Sequence, residues 1–451
     1  MGFRVGDTNR CRTAPLDVIG VGFGPSNLAL AIVLDEMAAK RGRWLEAVFL
    51  EKQPDYHWHG NTLVAQSEMQ ISFLKDLVSL RNPTSHYSFL NYLHQHDRLV
   101  DFINLGTFYP CRMEYNDYLR WVASHLADRC RYGEEVTTVE PVVDGGRVEL
   151  LRVRSRDAQG VEQMRTTRSV VVSTGGTPRV PLVFEALRDD ARVFHHAQYL
   201  SRLRTWSLPA DRPARIAVVG GGQSAAEAFI DLNDNHPTAH VDLILRGAAL
   251  KPADDSPFVN EVFSPAYTDL VFSQPEAERE QLIREYRNTN YSVVDVNLIE
   301  QIYGVFYRQK VSGIRRHQLL NRRRIESCGA DAHGVELALR DLATGEMRRH
   351  RYDQVILATG YERTAHRRML APLAEYLDGF SVDRCYRLNA DDRLRAPVFV
   401  QGFSQSTHGL SDTLLSVLPI RAAEVATELY RMVEAAGRSD GHRYLPAHVA
   451  V

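Results

Sequence analysis

LDVIGVGFGPSNLALAIVLDE, residues 16–36, sets an apolar strand, a glycine-rich turn and a helix of small residues end to end. The same grammar returns in ARIAVVGGGQSAAEAFIDL, residues 214–232. Each is followed by a second strand-like run, LEAVFLEK (45–52) and HVDLILRG (240–247), which makes two βαβ units. Two related strings close them, VVVSTGGTP (170–178) and QVILATGYE (354–362). Both read as a buried strand ending in a glycine turn, where a chain can leave one domain for another. The predicted class is therefore α/β: two Rossmann-like dinucleotide-binding domains, the second inserted into the first. The stretch 251–304, rich in Asn, Pro and aromatics and then helically spaced, is expected to be a small helical subdomain. The expected division is 1–178 and 357–451 for the first domain, 179–250 and 305–356 for the second, and 251–304 for the subdomain.

In the first turn Gly20, Gly22 and Gly24 are followed by Pro25 and Asn27. Such glycines permit a tight turn and let a pyrophosphate approach a helix N-terminus. Alone the motif is weak, but Glu51 closes the next strand, where a carboxylate can accept hydrogen bonds from a ribose diol. The second turn, Gly220, Gly221 and Gly222 with Ala225, leads to a strand ending at Arg246. An arginine there suits a 2′-phosphate and favours NADP over NAD. Two such sites suggest a flavoprotein that takes hydride from NADPH. No C-x-x-C is present, which removes the disulfide-reductase branch. A reduced flavin without a thiol acceptor reacts with dioxygen or with a separate acceptor.

The composition is that of a globular protein, 44% hydrophobic and 24% charged with a net charge of −2. It offers no electrostatic case for a nucleic-acid partner. The arginine-rich run RRHQLLNRRR (315–324) is expected to be a solvated face. Five scattered cysteines, Cys11, Cys111, Cys130, Cys328 and Cys385, fit a reducing, cytoplasmic compartment. The polar N-terminus has no apolar signal core, and no run is long enough to span a bilayer. His57 and His59 in HWH lack an apparent third ligand, so no metal is expected. Ser411 in HGLSD is not a nucleophile elbow, since G-x-S-x-G is absent.

One residue asks for a specific ligand. Lys75 sits inside the mostly apolar MQISFLKDLVSL (69–80), and a lysine is seldom buried without a compensating anion. Its ordinary reading is a helix lysine that snorkels. The strings MQISFLKDLVSLRNPTSHYSFLNYL, DDSPFVNEVF, NTNYSVVD, LATGYER and HGLSDTLLSVLP change that reading. In this order they resemble the L-ornithine N5-monooxygenases of siderophore biosynthesis, especially those of pyoverdine pathways. The resemblance runs from about residue 15 to 430.

The resemblance implies an enzyme that uses FAD, NADPH and O2 to convert L-ornithine to N5-hydroxy-L-ornithine through a C4a-hydroperoxyflavin. Gly20, Gly22 and Gly24, with Pro25, Asn27 and Glu51, would hold FAD. Lys52, His57, Trp58, His59, Gln70 and Val136 would line it, and Thr413, Leu414 and Leu415 would close over the ring. NADP would rest on Gly221, Gly222, Gln223 and Ser224, with Arg246 beyond and Asn290, Tyr291 and Ser292 touching it. Lys75 would pair with the α-carboxylate of ornithine. Asn260, Glu261, Val262 and Phe263 would hold the amino-acid end, and Asn290 and Ser416 would sit near the reacting amine. No general base is assigned. A homo-oligomer is expected. The rival substrates are lysine and a diamine such as putrescine, which differ by too little to be read from residue types. Rival classes are a flavoprotein that only binds NADPH, and an oxygenase of carbonyl or sulfur compounds. Neither would need an amino-acid clamp.

Overall fold

A computed structural model describes residues 14–206, 209 and 211–435. Cys11 lies outside the described residues. The first sheet has five parallel strands in the spatial order Val398–Val400, Val170–Val172, Val18–Val21, Ala47–Glu51 and Cys130–Tyr132. Its central strands are continuous runs of apolar residues because helices and sheets cover both faces. Pro25 opens the helix Pro25–Arg41, and Gly42 ends it in the left-handed conformation at φ 63° with Lys40 and Arg41 in the last turn. Leu28, Leu30 and Ile32 of this helix share one core with Ala422, Val425 and Leu429 of the helix Leu418–Ala435.

The second sheet is also parallel, in the order Gln318–Leu320, His240–Ile244, Arg215–Val219, Gln354–Leu357 and Val193–His195. It lies between strands of the first sheet in the chain, as an insertion requires. The two passages between the sheets run side by side: Thr177–Pro178 pairs antiparallel with Tyr361–Glu362.

Residues 257–289 form short helices, Pro257–Asn260, Pro265–Ser273 and Glu276–Glu285 among them. The expected boundary at 304 falls inside a helix. Val296–Ser312 is continuous, capped by Asp295 and ended by Gly313 at φ 73°, and its Ile302 and Val305 are buried against the second sheet's core. It therefore joins the subdomain to the second domain without a break. The helices fold back onto the first domain, where Val271 packs against Gly409 and Arg384 bonds Asp269 at 2.7 Å.

Two antiparallel three-stranded sheets, within 134–167 and 323–352, were not anticipated. The arginine-rich run is only partly a solvated face. Arg316 donates to the carbonyls of His236 (2.6 Å), Leu232 (3.3 Å) and Ala239 (2.9 Å), so it caps the negative end of the helix Gln223–Asn235. Arg323 pairs with Asp341 at 2.8 Å.

Candidate active site

The first glycine turn is built for close approach. A Cβ on Gly20 would lie 2.2 Å from the Phe49 ring, and one on Gly22, at φ +83°, would lie 2.8 Å from the Ser173 carbonyl. Those two glycines let the backbone pack. Gly24 differs, because a Cβ there would meet no protein atom within 4 Å. It is the extended N-cap of a 17-residue helix with no side chain capping it, so the first N–H groups are free for an anion. Pro25 fills the first helical position. Glu51 takes N–H bonds from Phe23 (2.8 Å) and Gln53 (2.9 Å), and each oxygen keeps a lone pair.

Asn27 braces this turn. It is fully buried; its amide donates to the Gly22 carbonyl at 2.6 Å, and its oxygen accepts from Ser173 and Gln401. Lys52 and Gln70 are exposed, while Val136 is buried in the core that holds Val21 and Leu50.

The loop after Glu51 reaches the crossover strands, where His59 meets the Tyr361 ring. His57 pairs with Asp55 at 2.6 Å, and the Trp58 N–H donates to Asn116 Oδ1 at 2.9 Å. Trp58 also contacts the rings of His59 and Tyr115. His59 holds a left-handed φ of 55° and is reached by solvent. Protein nevertheless crowds it from several sides. That desolvation, then Arg112 and Arg363, pull its pKa down to about 4. Tyr361, from the crossover pair, contacts the rings of both His59 and His195. Burial lowers His195 to about 4, while its Nε2 lies 2.9 Å from the Gly360 carbonyl. Among the described residues no group of three or more His, Cys, Asp and Glu is arranged to hold a metal.

The second turn repeats the first. A Cβ on Gly220 would strike the Ala358 carbonyl at 2.4 Å, and Gly222 is the extended, uncapped N-cap of Gln223–Asn235. Gly221 faces Leu245, Ser224 is in the first helical turn, and Arg246 is exposed just beyond the strand His240–Ile244. Ser292, at φ 62°, lies against Gly222, which brings Asn290, Tyr291 and Ser292 to this turn.

The remaining residues converge where the helical subdomain meets the first domain. Lys75 is not on a helix; residues 69–80 are a series of turns. Asp76 folds them, accepting from the N–H groups of Val78, Ser79 and Phe89. Lys75 is half-buried. Burial lowers its pKa, and the charge of Glu261 opposes that shift. Glu261 is exposed, Val262 is buried and Phe263 half-buried, while the Asn260 amide donates to the Asp255 carbonyl at 2.6 Å. The Tyr291 hydroxyl reaches Thr413, next to the half-buried Leu414 and Leu415. Ser416 is buried and its hydroxyl has no partner. An orphan hydroxyl is costly unless something bonds it, which suits a site completed by a ligand.

Sequence reading missed the supports. Asp412 and Arg421, both fully buried, pair at 3.0 Å; Arg421 also donates to Ser26, and Asp412 accepts from the Ser404 N–H. They fasten the 410–416 loop to the start of the first helix. Arg112, at the start of the helix Arg112–His125, is near enough to His59 for its charge to act on it. Asp412 and Arg421 are nine residues apart, and neither helix nor turn spacing pairs them.

Residues 14–363 match the family described as L-lysine 6-monooxygenase/L-ornithine 5-monooxygenase. The L-ornithine N(5)-monooxygenase of Pseudomonas aeruginosa is 65% identical over 415 residues, covering 92% of this chain and 94% of that one. The solved ornithine hydroxylase PvdA of that organism superposes with a TM-score of 0.89 at 64% identity, over 93% of this chain and 99% of that chain. The ornithine N-hydroxylase KtzI of Kutzneria sp. 744, solved with reduced FAD, NADP+ and L-ornithine, gives 0.87 at 36% identity, over 92% and 99%. The glycine turns and these matches agree: the chain belongs to the L-lysine 6-monooxygenase/L-ornithine 5-monooxygenase family.

Proposed function

We propose that this chain hydroxylates the side-chain amine of L-ornithine to N5-hydroxy-L-ornithine, using FAD, NADPH and O2, for hydroxamate siderophore synthesis. It is a flavin-dependent monooxygenase. FAD belongs on the first sheet, its pyrophosphate at Gly24 and its ribose at Glu51. NADP belongs on the second, at Gly222 and Gln223, with Arg246 for the 2′-phosphate. When bound, FAD would carry reducing equivalents from NADPH to O2, one oxygen atom of which goes to the amine and the other to water.

The observation that carries the reading is the half-buried Lys75 beside Glu261. Together they offer both signs of charge to an α-amino acid: Lys75 for the carboxylate and Glu261 for the ammonium. A diamine has no carboxylate to offer Lys75. At the other end the amine must be neutral to accept oxygen. An alkyl amine has a pKa of ~10.4, so deprotonation near pH 8 costs about 3 kcal/mol unless the pocket lowers it. Asn290 and Ser416 add no negative charge that would hold the ammonium form. Asp412, the nearest acid in the loop, is neutralised by Arg421. These residues bind, orient and exclude water, and none is assigned as a base.

We further propose a cytoplasmic homo-oligomer. The described cysteines are all free, no helix among the described residues is long and apolar enough to cross a membrane, and Val100, Ile103 and Leu105 are an exposed apolar set. Light scattering tests the assembly. The substrate is tested by offering L-ornithine, L-lysine and putrescine with NADPH and measuring hydroxylamine product. Ornithine should be favoured by kcat/KM at least about tenfold, and parity with either rival would overturn the assignment.

A further inference from the structure

Arg112 and Glu227 join the two dinucleotide domains. Arg112 is the first residue of its helix in the first domain, and Glu227 lies one turn into the helix that follows the second glycine turn. The contact is bidentate, Nη1 to Oε2 at 2.9 Å and Nη2 to Oε1 at 2.8 Å, and both groups are shielded, at 16% and 3% exposure. Each end is fixed in its own domain. The Arg112 Nε donates to the Glu68 carbonyl at 3.1 Å, and its backbone N–H to the Ser67 carbonyl. Glu227 Oε1 accepts from Gln223 Nε2 at 2.9 Å, and Gln223 Oε1 in turn accepts from the Asp295 N–H at 2.9 Å. Gln223 is the first residue after Gly222, so one chain of bonds runs from the turn assigned to NADP to Ser67 and Glu68 in the first domain.

Other contacts also cross between the domains. Gln66 bonds Asp234 at the surface, a backbone bond links Leu200 to Asn61, and Val64 is buried in the second domain's core. Through the helical subdomain, Arg384 bonds Asp269 and Tyr291 reaches Thr413. The covalent connections are two adjacent strands of two residues each. Among these contacts the Arg112–Glu227 pair is the one that ties the start of the helix of the second glycine turn directly to the first domain; Asp234 lies at that helix's far end. A planar guanidinium on a buried carboxylate fixes orientation as well as distance.

We propose that Arg112 and Glu227 are a positioning pair that sets the angle between the domains at which hydride passes from NADPH to the flavin. The pair touches neither reacting atom. Hydride transfer requires close approach and alignment, and a small misplacement at that distance lowers the rate steeply. The proposal rests on the cofactor placement given above.

The test uses the FAD-loaded enzyme and the variants R112K, which keeps the charge but loses the bidentate fork, E227Q, which keeps the shape but loses the charge, and R112K/E227Q. FAD content, thermal midpoint, ornithine KM and the anaerobic rate of flavin reduction at saturating NADPH are measured for each. Each single variant should lower the limiting reduction rate at least about tenfold while FAD content and ornithine KM stay within twofold. The double variant should be no slower than the worse single one, as expected of two residues acting through one contact. Reduction within twofold of wild type in both single variants would overturn the proposal. So would losses that multiply in the double variant, or losses that only track FAD content and melting. A wild-type enzyme that NADPH fails to reduce would instead refute the cofactor placement.

Discussion

The Tyr291 hydroxyl lies 2.8 Å from the Thr413 hydroxyl and accepts a further bond from Gln405 Nε2 at 3.1 Å. Tyr291 comes from the segment that lies against the second glycine turn, and Thr413 from the first domain's C-terminal loop. The contact latches the helical subdomain over the loop that ends at Ser416. Tyr291→Phe should cost only about 1 kcal/mol in stability but should loosen the latch. The expected result is a lower yield of hydroxylamine per NADPH, with H2O2 making up the difference, while flavin reduction is unchanged. Paired assays of the two products check it.

Lys75→Ala removes the cation proposed for the α-carboxylate. A charge-assisted hydrogen bond is worth about 1.5–3 kcal/mol, so ornithine KM should rise roughly 10- to 150-fold. NADPH-driven flavin reduction should continue. Steady-state ornithine titration and stopped-flow reduction separate the two effects.

Gly24→Ala and Gly220→Ala should fail differently. A methyl on Gly24 meets no protein atom, so the fold should tolerate it while FAD affinity falls at least about tenfold through collision with the ligand. A methyl on Gly220 meets the Ala358 carbonyl at 2.4 Å and should destabilise the second domain itself. Melting and bound-FAD measurements on both variants distinguish a ligand cradle from a packing glycine.

His196 is 2% exposed, and burial, then the charges of His195, Arg112 and His59, hold its pKa down to about 3. Between pH 6.5 and about 3 the unfolded chain binds a proton here that the folded chain refuses, so stability falls as the pH falls through that window. The limiting slope is about 1.4 kcal/mol per pH unit for the one group. In His196→Asn this contribution disappears. The stability gap between wild type and variant should narrow by about 2 kcal/mol from pH 7 to pH 5, read by urea unfolding.

Much of the fold was legible because its central strands are unbroken apolar runs and both glycine turns sit where the strands end. Val18–Val21, Val170–Val172 and Gln354–Leu357 announce themselves in this way. The hairpin at Gly145 and Gly146, at φ 54° and 78°, had a readable turn, but its strands alternate valine with arginine and glutamate. The conformation around Lys75 was not legible, since twelve mostly apolar residues suggest a helix until Asp76 is seen binding three N–H groups. Arg112 and Glu227, 115 residues apart, are brought together by tertiary packing, and Asp412 and Arg421, nine apart, by the path of the loop between them rather than by a helix or turn spacing. Asn27 fits the glycine-turn motif, yet it is held by Ser173 and Gln401 from two other parts of the first domain.

The central claim is that oxidation of NADPH is coupled to formation of an N–O bond on ornithine. The most direct test is the ratio of N5-hydroxy-L-ornithine formed to NADPH oxidised by the FAD-loaded protein in air with saturating L-ornithine. The account predicts a ratio near one, with little H2O2. NADPH consumption that yields H2O2 and no hydroxylated amine would contradict it.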